Sequence, residues 1–138
     1  MKFKIFISTL ILLVVIVMFL LKIYKPQTQV GINKTEPKFR VSTEELITYF
    51  NLDEELGDKK FSNKILQVKG IIADISTIKG KSIITLKEES NKASVICHLK
   101  PKEQNKLLKY KKNNLIVIKG KCTGFLLDVM MINCVIID

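Results

Sequence analysis

The hydrophobic positions of the chain change their period twice. From Ile5 to Leu21 they are almost continuous, broken by Ser8 and Thr9. From Val41 they fall at helical spacing, and beyond Phe61 they alternate with polar residues at a period of two. The first run spans roughly 26 Å as a helix. With Ile23 and Tyr24 added it approaches the ~30 Å thickness of a hydrocarbon core. A single transmembrane helix over residues 5–24 is therefore expected, inside an anchor segment 1–25. Its exit, "FLLKIYKP", has no small-residue cleavage site and no lipoprotein cysteine, so an uncleaved signal anchor is expected, with a cleaved signal as the competitor. Lys2 and Lys4 favour a cytoplasmic N-terminus and a body outside the cytoplasm; Lys22 and Lys25 act against that orientation.

Residues 26–40, "PQTQVGINKTEPKFR", carry Pro26, Gly31 and Pro37 and no apolar period, which predicts a flexible tether. The next stretch is an amphipathic helix by its signals. Ser42 and Glu45 form a capping box, and Val41 with Leu46 supplies a hydrophobic staple. Leu46, Ile47, Phe50 and Leu56 make its apolar face, and Gly57 is the expected stop. Glu44, Glu45, Asp53, Glu54 and Glu55 read as its solvated side.

Alternation then defines strands in "ILQVKGIIADISTI", "SIITLKE", "ASVICHL", "NLIVIKGKCTG" and "DVMMINCVIID". Lys79-Gly80 turns the first into the second, and Gly70 and Gly120 stand where bulges or bends are expected. Between the third and fourth strands, "KPKEQNKLLKYKK" reads as a short helix with Leu107, Leu108 and Tyr110 inward. Three strands, a helix and two strands is the order of the OB-fold. This predicts a mainly β chain, a five-stranded Greek-key barrel with a helix between strands three and four. The barrel covers about residues 61–138 of a domain spanning 41–138, after the amphipathic and transmembrane helices.

Composition removes several chemistries. Gly120-Lys121-Cys122-Thr123 and Gly80-Lys81-Ser82 look like phosphate-binding loops. The first glycine such a loop needs is replaced by Leu115 and Ile75, and no helix follows either pair. His98 is the sole histidine, and the barrel's acids are scattered around turns and ends, so no catalytic constellation assembles and no enzyme is expected. The cysteines lack the short spacing of zinc sites, and neither metal nor cofactor is expected. The formal net charge of +10 is uneven: residues 61–138 hold 14 lysines against six acids, while residues 26–60 hold five basic and seven acidic groups. A basic barrel attracts polyanions or anionic surfaces. Arg40 is the sole arginine, which weakens a nucleic-acid role, because bidentate phosphate and base recognition relies on arginine.

"VSTEELITYFNLDEELGDKKFSNKILQVKGIIADIS", followed by "SVICHL", "IVIKGKCTG" and "MMINCVIID", resembles the tRNA-anticodon-like OB-fold family over residues 41–138. The resemblance implies the barrel fold and a likeness to anticodon-binding domains. Membrane-anchored OB barrels also include a haem chaperone whose histidine lies in a His-x-x-x-Tyr motif. This chain has Lys102 four residues after His98, which argues against haem attachment.

OB barrels bind ligands on the face of strands two and three, framed by the loops joining strands 1–2 and 4–5. Alternation places Lys79, Lys81, Ile83, Thr85, Lys87, Ser94, Ile96 and His98 on that face, with Phe125 as the single aromatic platform nearby. Stacking aromatics are what single-stranded nucleic acid requires. The expected ligand is therefore a protein or polyanionic envelope component, with single-stranded nucleic acid as the alternative. Ile83, Ile96, Phe125, Leu126 and Leu127 are candidates for an apolar patch, unless the last three close the barrel end. The alternation also turns Cys97, Cys122 and Cys134 inward. A hairpin turning near Leu126 sets Cys122 opposite Met130, leaving Cys97 and Cys134 on neighbouring strands. Cys97 is expected to approach one of the other two cysteines, with Cys134 preferred; in an oxidising compartment the two could close a disulfide, and the alternative is three buried thiols.

Overall fold

The computed structural model describes residues 2–23 and 31–137, with side chains described for 10–20 and 31–137. The chain divides into two compact units, residues 1–30 and 31–138. In the first, helix α1 runs over Lys2–Ile23, and its described side chains, Leu10 to Leu20, are exposed. Among the described residues no helix is long and apolar enough to cross a membrane. The expected span over residues 5–24 lies partly outside the described side chains, as do the lysines at its two ends.

The second unit begins with a departure from the expected tether. Ile32 is buried, and the Lys119 ammonium, itself buried, donates to the carbonyls of Asn33 and Thr35 at 3.1 Å each. These two bonds replace the water the charge gives up on burial. Residues 31–40 are thereby held on the domain, with strand β1 at Phe39–Ser42. β1 runs parallel to β2 (Ile65–Ile78), pairing Phe39 with Leu66 and Val41 with Val68.

Helix α2 (Thr43–Leu52) starts as predicted, with the Ser42 hydroxyl accepting from the Glu45 amide at 3.0 Å. It does not continue to Gly57. Asp53 leaves helical geometry (φ −158°, ψ 104°) and caps a new helix, α3 (Glu54–Phe61), by accepting from the Leu56 amide at 3.0 Å. Gly57 lies inside α3, where a Cβ would approach the Phe50 ring at 2.5 Å. Its role is close packing, not termination. Leu56 points to solvent, and the inner face is made by Leu46, Ile47, Phe50 and Phe61.

The barrel strands are β2, β3 (Lys81–Leu86), β4 (Val95–Leu99), β5 (Leu115–Leu126) and β6 (Asp128–Ile137). They pair in the order β2-β3-β4-β6-β5, closed by β2–β5, with β4 and β6 parallel and the other barrel pairs antiparallel. This is the predicted five-stranded barrel. Lys79 and Gly80 both have positive φ (49° and 74°), the two-residue turn that matches strand twist. Register shifts fall between Ile72 and Asp74, and on both sides of Lys121 in β5. A 3₁₀ turn (Pro101–Glu103) leads into α4 (Gln104–Leu107), the helix between strands three and four of the barrel. Leu107 is buried there and Leu108 is exposed, because the helix ends after one turn and cannot present both. The buried Glu103 carboxylate accepts from the Ile136 amide at 3.1 Å and tacks this helix to β6.

Candidate ligand-binding face

Alternation along β3 and β4 sorts inward and outward positions as predicted. Ser82, Ile84 and Leu86, with Val95, Cys97 and Leu99, are buried. Ile83, Thr85, Ile96 and His98 are half-buried, and Lys79, Lys81 and Lys87 are exposed at the rim. Cross-strand pairing puts these side chains into two rows. One joins Asp74, Thr85, Ile96 and Met130; the other joins Ser76, Ile83 and His98 and continues towards Ile132, which pairs with Lys121. The face thus extends onto β6. Met130 and Ile132 were readable from the alternation of "VMMINC"; they were missed because the face was confined to two strands.

Two expected members are elsewhere. Ser94 is buried, and its amide and hydroxyl both donate to the Asp128 carboxylate at 2.7 Å. It precedes β4 and ties the β3–β4 loop to the β5–β6 hairpin, so strand alternation does not apply to it. Phe125 is no free platform. Its ring stacks on Phe50 at 5.4 Å between centroids with 13° between planes. Phe50 in turn joins Phe61, which Phe39 and Tyr49 meet edge-on at 5.3 Å each. The Lys60 ammonium sits 3.9 Å from the Tyr49 ring centroid, so this aromatic group is already occupied by packing and a cation. Leu126 and Leu127 neither close the barrel nor join the patch with Ile83 and Ile96; both project from the hairpin tip, more than 80% exposed.

The three cysteines are buried and free, with no bridge between Cys97 and Cys134. Cys97 and Cys134 do approach each other, closely enough for the Cys97 thiol to act on that of Cys134. Burial pushes the Cys134 thiol well above its ordinary pKa, with the Cys97 thiol adding to the effect. Burial likewise raises Cys122 to about 11. Cys122 faces Met131, one residue beyond the expected Met130: the hairpin turns at Leu127, which alone would bring Ile132 opposite, and the skipped Thr123 takes back one residue. Among the described residues no cluster of histidine, cysteine and carboxylate could hold a metal ion.

The tRNA_anti-like family profile matches residues 1–136. The chain belongs to the tRNA_anti-like family. No curated protein matches it. Among solved structures, a Klebsiella pneumoniae lipoprotein named as nucleic acid-binding is similar at 18% identity and a TM-score of 0.58, over 71% of this chain and 91% of that one. The S. pombe Stn1-ten1 complex gives 19% identity and 0.43, over 53% and 57% of the two chains. An OBody bound to hen egg-white lysozyme gives 17% and 0.42, over 56% and 85%. At such identities the first of these shows a shared fold. For this tRNA_anti-like chain, ligand chemistry has to be read from its own face.

Proposed function

We propose that this chain is a membrane-tethered, non-catalytic binding module whose outward sheet face holds an extended polypeptide segment outside the cytoplasm. One observation carries the reading. The rows across β3, β4 and β6 present Ile83, Ile96, Met130 and Ile132 between rim lysines, and the nearby aromatic, Phe125, is stacked on Phe50. Aliphatic side chains on a pleated surface accept the side chains of an extended peptide, and lysines at the rim favour one with acidic residues. The apolar run over residues 5–24 supports the tether, and the family match begins at residue 1, so it includes that run.

A photo-crosslinking amino acid at Ile96 in native membranes should yield polypeptide adducts, with none from the same group at Lys102. Nucleic-acid adducts at 96 would replace this reading with the second one. That second reading, single-stranded nucleic acid, is favoured by the family and by the name of the Klebsiella lipoprotein. Without a stacking surface, binding would rest on lysine–phosphate contacts and fade steeply with salt. An oligonucleotide titration at about 150 mM salt should show no sub-micromolar complex. A tight complex at that salt would establish the nucleic-acid role.

A further inference from the structure

The tip of the β5–β6 hairpin is costly to build as it stands. Leu126 pairs with Asp128, and Leu127 between them adopts φ +66°, a left-handed conformation that leucine rarely takes. Glycine or asparagine would relieve the strain and remove an exposed apolar side chain at once. The tip instead shows two adjacent leucines, 81% and 83% exposed. Its adjoining charge is turned away, since the Asp128 carboxylate is engaged by Ser94. Beside the tip lies an open recess lined by Asn51, Glu54, Lys92 and both leucines, and Leu52, 80% exposed, follows Asn51 at the end of α2.

We propose that this tip docks into a neutral phospholipid surface, with Leu126 and Leu127 seated below the headgroups. The inference rests on the membrane tether proposed above. Eight Cα–Cα steps separate Ile23 from Gly31, a covalent reach of at most about 29 Å. Along β5, Lys119, which holds the start of the domain, is seven residues from Leu126, about 23 Å of strand. A tether of that covalent length permits the tip to reach a bilayer. A projecting apolar tip suits an acyl-chain surface better than a preformed groove, and binding there grows with buried apolar area. Glu54 and Lys92 both line the recess and the Asp128 carboxylate is engaged by Ser94, so the charges beside the tip offset and a zwitterionic surface is the one specified.

The chain has no tryptophan, so Leu127→Trp gives a single reporter. The full-length variant is reconstituted in phosphatidylcholine vesicles that carry brominated acyl chains. Emission should shift to the blue and be quenched at least two-fold. A Lys102→Trp reporter should stay unquenched, because its helix attaches near Ile136, at the far end of the hairpin. Adding Leu126→Asn to the Leu127→Trp chain should reduce the quenching, with an unchanged thermal melt showing that the domain is still folded. A chain that floats with vesicles while position 127 stays unquenched overturns the docking and leaves the tether standing. Quenching in a chain that alkaline carbonate extracts supports the docking and removes the tether. A blue shift in native membranes without quenching in protein-free vesicles marks a protein partner and overturns the docking.

Discussion

At Gly70 the absence of one methyl group decides how closely α2 can approach the sheet. A Cβ there would run into the Thr43 side chain, whose hydroxyl donates to the Lys69 carbonyl at 3.4 Å. Gly70→Ala should destabilise the domain by about 1–3 kcal/mol, as overpacking does. The expected sign is a lower urea midpoint with an unchanged slope. Glu103 works by satisfaction of a backbone donor. Glu103→Ala leaves the Ile136 amide buried without its partner, at a cost of about 1–3 kcal/mol, whereas Glu103→Gln keeps an acceptor oxygen and should lose less in the same melt. The cysteines add a pH dependence. Folding raises Cys122 from 9.0 to about 11 and raises Cys134 in the same direction, so above pH 9 the unfolded chain loses these protons first. Their contribution is whole below pH 9 and is lost as pH rises towards and through about 11. Urea midpoints should fall across that window, and replacing Cys122 with serine should flatten the fall. In the native state near neutral pH all three thiols should resist alkylation, and all three should react after unfolding.

Among the elements, the strands were legible because one face of each is buried, and burial enforces the period of two. Val95, Cys97 and Leu99 point inward for that reason, and Ile83, Ile96 and His98 occupy the expected face. The helical segment was harder to read. Its apolar period passes through residue 53, yet Asp53 takes an extended conformation and caps α3 with its own carboxylate. A short acidic residue able to compete for backbone amides is the local signal, and it was outweighed by the glycine four residues later. Asp53→Ala should cost about 1 kcal/mol, visible as a lower melting midpoint. The strand at Phe39–Ser42 offers only a four-residue alternation, Phe39 and Val41 against Arg40 and Ser42, and the anchoring of residues 31–38 has no periodic signature. That anchoring depends on Lys119, which alternation alone would treat as one more polar position. Lys119→Met should therefore free the leading segment while leaving the barrel intact. Trypsin should cut after Lys34 and Lys38 sooner than in the parent protein, with unchanged protection of β2.

For the molecule as a whole, the barrel's basic balance and the slightly acidic composition of residues 26–60 limit which surfaces can meet which ligands. If the body lies outside the cytoplasm, a Lys34→Cys variant in intact cells should react with a membrane-impermeant maleimide. Reaction only after lysis would reverse the orientation, and the three buried native thiols keep the background low. The two closures of the sheet also differ in what they hold. β2–β5 completes the barrel by itself, whereas β1 is an addition along β2, laid parallel and preceded by the Lys119 clamp. A pull arriving through the N-terminal side would load the clamp first and then the four paired residues of β1. The barrel behind them need not open. Under tension residues 31–42 would act as a mechanical fuse, lengthening the leading segment before the face on β3, β4 and β6 is disturbed.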